Sequence, residues 1–113
     1  MLLKLSEQGK VILFSSLDTE KELVRVLQYN KFGLSFEESL RFLVYYQSIF
    51  TRMEADTKIS IIDRDPSDNI FLECAVASSA NYIVSGDHHL LDLKKYKKIR
   101  IITAEEFLKI MNL

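Results

Sequence analysis

Short apolar runs separated by helical patterns constrain this chain more than any other feature. Val11-Ile12-Leu13-Phe14 and Tyr82-Ile83-Val84 are continuous apolar stretches of strand length, and Ile99–Ile102, with Arg100 inside it, reads as a third buried strand. A strand with one wet face alternates apolar and polar residues, so continuous runs predict strands covered on both faces. Residues 18–29 read as a helix, with Leu23, Val26 and Leu27 at helical spacing and Asp18 near the start. Residues 36–50 follow the capping-box pattern Ser35-Phe-Glu-Glu38 and set Phe36, Leu40, Leu43, Val44 and Phe50 on one stripe. Asp65-Pro66-Ser67-Asp68 opens another helix, with Asp65 as cap and Pro66 in the first turn, where a missing N–H costs nothing. That helix is apolar nearly all round (Ile70, Phe71, Leu72, Cys74, Ala75, Val76, Ala77), which predicts burial. Thr103-Ala-Glu-Glu106 is a second capping box and opens a final helix with Phe107, Ile110 and Met111. A short strand is expected at 59–62 and a short helix at 88–93. Strands alternating with helices predict an α/β fold with a parallel sheet and helices on both faces.

With three Gly and one Pro in 113 residues, no linker divides the chain, and a single domain over 1–113 is expected. Fifteen Lys and Arg against sixteen Asp and Glu leave a charge of −1, which argues against binding by non-specific phosphate attraction. One cysteine excludes a disulfide framework and a Cys-rich zinc module. No apolar run approaches the ~20 residues a membrane span needs, and Lys4 and Glu7 interrupt any signal-peptide plan. The expected setting is cytoplasmic, with no membrane.

In parallel α/β sheets ligands sit at the carboxyl ends of strands, and carboxylates gather there. Asp18, Glu20 and Glu22 follow the first run, Asp65 and Asp68 precede the buried helix, and Asp87 follows Val84. Acids converging on one sheet edge repel unless a cation holds them, which points to a hard divalent metal, Mg²⁺ or Mn²⁺. Each acid also has an ordinary role. Asp68 could be the first-turn carboxylate of a capped helix, Asp87 could cap the helix after it, and Glu22 could be a solvated helix residue. Their combination is what points to chemistry.

Three blocks carry a family resemblance: Asp65-Pro-Ser-Asp-Asn-Ile-Phe-Leu-Glu-Cys-Ala, Ala80-Asn-Tyr-Ile-Val-Ser-Gly-Asp-His-His-Leu-Leu, and Ile99-Arg-Ile-Ile-Thr-Ala-Glu-Glu-Phe-Leu. They resemble the C-terminal half of a PIN domain, and Phe14-Ser-Ser, Glu22-Leu23 and Leu27 to Phe32 resemble its second strand and following helix. The nearest branch is similar to the VapC toxins of toxin–antitoxin pairs. The resemblance implies a PIN-like three-layer α/β/α sandwich with a mainly parallel central sheet, and Mg²⁺- or Mn²⁺-dependent endoribonuclease cleavage of RNA. It implies that Glu22, Asp68 and Asp87 hold the metal and serve catalysis, that Ser85 is the small hydroxyl residue beside the last acid, and that a cognate antitoxin binds. PIN domains open with a strand bearing a metal-binding Asp. Residues 2–8 read as the end of the helix after it, so the resemblance implies an N-terminally truncated domain without that strand. Its expected consequences are impaired activity, two unpaired strand edges, and self-association as a homodimer.

Lys94-Lys95-Tyr96-Lys97-Lys98-Ile99-Arg100 is a basic cluster in which Lys94 and Lys95 could meet an RNA backbone, although a solvated loop explains it more simply. His88 and His89 could join a metal site, but adjacent residues are expected to point to different faces, so one at most would help. Cys74 reads as a small core residue. Tyr45, Tyr46 and Phe50 suit a core or an interface. A non-catalytic PIN module that binds antitoxin, RNA or itself is the competing reading. A phosphate-accepting receiver domain ranks below both, since Ile99–Ile102 ends in Thr103 where such a domain needs a Lys.

Overall fold

Side-chain caps decide where the helices start. In the computed structural model, which describes residues 2–62 and 66–112, Ser35 Oγ accepts from Glu38 N at 3.1 Å and Glu38 Oε1 accepts from Ser35 N at 3.0 Å. The Ser35 backbone N–H holds the Glu38 carboxyl below its usual value. Thr103 and Glu106 make the same reciprocal pair at 3.1 and 3.2 Å. A third box, Ser16 with Thr19, uses a hydroxyl instead of a carboxylate at the third helical position.

The described chain forms two compact units, Met1–Met53 and Glu54–Leu113. In the first, helix α1 (Leu2–Glu7) precedes strand β1 (Leu13–Ser15), helix α2 (Leu17–Leu27), a 3₁₀ turn (Asn30–Phe32), helix α3 (Phe36–Ile49) and strand β2 (Phe50–Arg52). Gly9 and Gly33 take the left-handed conformation just past the α1 end and the 3₁₀ turn, where a side chain would be strained. β1 and β2 pair in parallel, with Leu13, Phe14 and Ser15 opposite Phe50, Thr51 and Arg52. Phe50 therefore leaves the helical stripe that its spacing suggests and starts a strand.

In the second unit a 3₁₀ turn (Pro66–Asp68) leads into helix α4 (Asn69–Ser78), strand β3 (Tyr82–Val84), helix α5 (His88–Leu91), strands β4 (Lys95–Tyr96) and β5 (Ile99–Ile102), and helix α6 (Ala104–Ile110). β5 lies between β3, which it pairs in parallel, and β4, which it pairs antiparallel. The described strands thus form an α/β fold with mainly parallel pairing. They are divided between a two-stranded and a three-stranded sheet, where the sequence predicts one central sheet. The expected cap Asp65 lies outside the described residues.

The core of the second unit is Ile59, Ile62, Leu72, Leu90 and Ile101, flanked by Phe71, Val76, Ile83, Leu91, Leu93 and Tyr96. Cys74 is buried, as its place in α4 predicts. Residues 59–62 bury Ile59 and Ile62, leave Ile61 exposed, and do not form the expected strand. Side chains of α4 take the backbone groups that a neighbouring strand would have taken. Asn69 Oδ1 accepts from Ile61 N and Ile62 N at 3.1 and 2.9 Å, and its Nδ2 donates to Ile62 O at 3.1 Å. Glu73 Oε2 accepts from Ile59 N at 2.9 Å.

Candidate functional site

Asp87 stands three residues beyond the end of β3, the position that a parallel α/β sheet reserves for ligands. Its loop is anchored on both sides. Ser85 N donates to Ile102 O at 3.0 Å, which ties the exit of β3 to β5. Ser85 Oγ accepts from Asp87 N at 2.9 Å, and Asp87 Oδ1 accepts from His89 N at 2.8 Å. Asp87 therefore caps α5, the ordinary role open to it from the sequence. The cap engages one carboxylate oxygen, so it is compatible with a ligand at the other.

The loop also brings both histidines to Asp87. One ligand atom from each of Asp87, His88 and His89 lies within 4.8 Å of the others, the one such gathering of three among the described residues. The two imidazole rings are 4.3 Å apart at their centroids and tilted by 57°. This corrects the expectation that adjacent histidines diverge. A helical side chain is held in rotamer by the turn before it, and His88 and His89 occupy the first turn of α5, where no such turn exists. His89 Nδ1 is buried without a hydrogen-bond partner. An orphaned buried imidazole nitrogen beside a carboxylate and a second imidazole is a donor set that accepts a divalent cation.

Asp68 lies in the same unit but outside that group of three. It is buried and, standing at the N-cap of α4, makes no side-chain cap hydrogen bond there; the first-turn role beside Asp65 involves a residue outside the described ones. Glu22, on α2 of the first unit, is partly buried and paired with Arg25. Arg25 Nε donates to Glu22 Oε2 at 3.0 Å and its Nη2 donates to Oε1, and this contact raises the Arg25 pKa further. Glu22 is therefore a partly exposed helix residue whose carboxylate is engaged by Arg25.

The buried acid of α2 is Glu20, which accepts from Gln47 Nε2 at 2.5 Å and pairs with Arg52. With Ser15, Tyr46, Gln47, Phe50 and Arg52 it lines a cavity of about 220 Å³. Glu73 is the other acid whose burial the sequence leaves unmarked. Nothing local separates Glu20 from Glu22, because both partners of Glu20 come from some thirty residues later.

The basic cluster is a hairpin rather than a loop. Lys95 lies opposite Arg100 and Tyr96 opposite Ile99, and Lys97 takes a positive φ in the turn. Lys94, Lys95, Lys97, Lys98 and Arg100 are all exposed, and Lys97 Nζ sits 5.6 Å from the Tyr96 ring centre. Two cations directly opposite each other weaken a sheet, so the hairpin keeps its charge at a cost.

No curated protein and no solved structure matches the chain. The family model described as PIN domain matches residues 1–89, a span that contains Glu22, Asp68, Ser85, Asp87, His88 and His89. With that match over most of its length, the chain belongs to the PIN-domain family.

Proposed function

We propose that this chain is a metal-dependent endoribonuclease and the VapC-like toxin of a toxin–antitoxin pair, with a cognate antitoxin as its protein partner and the cytoplasm as its setting. PIN domains have a nuclease-type fold and use a divalent metal. The observation that carries the reading is the family match over residues 1–89, which takes in the three acids assigned to the metal. In the second unit, Asp87, fixed by Ser85 and the α5 cap, and Asp68, buried at the start of α4, are the acids assigned to the cation. When bound, Mg²⁺ or Mn²⁺ supplies an activated water and offsets charge on the phosphodiester. Ser85, Lys94 and Lys95 meet the RNA backbone. No helix among the described residues is long and apolar enough to cross a membrane.

Purified chain incubated with Mn²⁺ and single-stranded RNA is expected to produce discrete fragments on a gel, and Asp68→Asn to remove them. Turnover is expected to be slow, because Arg25 occupies both oxygens of Glu22. The same contact favours the second reading, a non-catalytic PIN module that binds antitoxin, RNA or itself. Intact RNA with wild-type chain and Asp68→Asn alike would falsify the enzyme reading and leave the binding module.

Two surfaces support the partners. If Lys94 and Lys95 touch phosphates, Lys94→Ala/Lys95→Ala lowers the slope of log affinity against log salt by about 0.7 for each phosphate no longer neutralised. An unchanged slope in fluorescence anisotropy places RNA elsewhere. On α3, Phe36, Leu40 and Val44 share one stripe and are 82%, 48% and 59% exposed. A monomer rarely leaves such a stripe open, so a homodimer is inferred, with sedimentation giving twice the 13.1 kDa chain mass. A 13.1 kDa species at micromolar concentration rejects it.

A further inference from the structure

The donor set around Asp87 is more specific than an acidic metal site. Ser85 Oγ fixes the Asp87 backbone at 2.9 Å, Asp87 Oδ1 fixes the first turn of α5 at 2.8 Å, and one ligand atom from each imidazole lies within 4.8 Å of the carboxylate. His89 Nδ1 is left buried without a hydrogen bond. A buried polar atom of this kind costs free energy unless a ligand satisfies it. We propose that Asp87, His88 and His89 form a binding site for a borderline transition-metal ion of the Co²⁺, Ni²⁺ and Zn²⁺ class, in preference to Mg²⁺. The inference rests on the proposed metal site through Asp87 and is independent of whether RNA is cut.

The chemistry of the donors sets the preference. Imidazole nitrogens suit Zn²⁺, Ni²⁺ and their neighbours, whereas Mg²⁺ takes carboxylate and water oxygens and keeps much of its hydration shell. Two histidines beside one carboxylate therefore favour the first class. Metal–ligand bonds near 2.0–2.2 Å set ligands on one ion at most about 4.4 Å apart, so an ion bound by these three atoms, which lie within 4.8 Å of one another, draws them together. Three protein ligands leave positions open for water, the arrangement of a reactive site rather than a sealed structural one. Affinity is expected to rise from Mn²⁺ through Co²⁺ to Ni²⁺, with Mg²⁺ weakest.

Isothermal titration of the full chain with MgCl₂, MnCl₂, CoCl₂ or NiCl₂ alone tests the order, and the visible ligand-field spectrum of bound Co²⁺ reports nitrogen ligation directly. His88→Gln and His89→Gln are each expected to weaken Co²⁺ binding at least about tenfold, the loss that even supporting partners of a metal ligand cause. Both should leave the circular dichroism spectrum unchanged. Because His88 is exposed, His88→Gln keeps the test valid if His89→Gln fails to fold. Wild-type Co²⁺ affinity and spectrum in His88→Gln overturn the proposal. If Asp68→Asn abolishes RNA cleavage while the histidine variants bind Co²⁺ normally, this inference falls and the nuclease reading stands. Co²⁺ held through the histidines by a chain that leaves RNA intact has the opposite meaning.

Discussion

Asp87→Asn is expected to lower Mn²⁺-dependent RNA cleavage by about 100-fold or more, the loss that a displacement near 1 Å at a reacting centre already causes. The melting temperature should stay within about 4 °C of wild type, since asparagine caps a helix nearly as well as aspartate. The substitution separates two roles that share one side chain. Asn keeps an oxygen that can accept from His89 N, now bonded to Asp87 Oδ1 at 2.8 Å, so α5 stays capped. It removes the negative charge that the metal needs. Asp87→Ala loses both, and the missing cap costs about 1 kcal/mol more, or roughly 5 °C in melting temperature. Equal cleavage by Asp87→Asn and wild type, with both folded, removes Asp87 from the metal set and returns it to the cap alone.

What the sequence disclosed about this molecule follows the range of the interactions involved. Ser35 with Glu38 and Thr103 with Glu106 are legible because a capping box is complete within four residues. The box of Ser16 with Thr19 is equally local but escapes the Ser/Thr-x-x-Glu/Gln pattern, because a hydroxyl does the work of a carboxylate. Tyr82–Val84, half-buried, and Ile99–Ile102, whose isoleucines are buried around an exposed Arg100, stand out as strands through their apolarity. β2 and β4 do not, since Phe50–Arg52 and Lys95–Tyr96 become strands only by pairing with β1 and β5. In the site, Asp87 is legible from its place after an apolar run. The approach of His88 to His89 is not, because it depends on the side-chain rotamers taken in the first turn of α5. The roles of Glu20 and Glu73 are hidden for the same physical reason as β2: their partners are distant in sequence. Glu20 meets Gln47 and Arg52, and Glu73 meets Ile59 and Lys58.

Asn69→Ala is expected to be the most destabilising single change in the second unit, by about 3 kcal/mol, with a fall in melting temperature of more than about 10 °C. One side-chain amide serves three backbone groups of residues 61 and 62, and truncation leaves them without it beside a buried core. Each such loss costs about 1–3 kcal/mol when water does not replace the partner. Apolar contact is the competing account of what holds this segment. Ile59 and Ile62 are 8% and 7% exposed, and burying each contributes about 1.5–3 kcal/mol whether or not Asn69 is present. The two accounts differ in what they predict for Asp68, the residue next to Asn69 at the start of α4. If the amide fixes the segment, Asn69→Ala also slows RNA cleavage at temperatures where the protein remains folded, because the backbone around Asp68 loses its tie to residues 61 and 62. If apolar contact suffices, the variant melts within about 4 °C of wild type and cleaves as before. Thermal melting followed by circular dichroism, with cleavage measured well below the transition, decides between them.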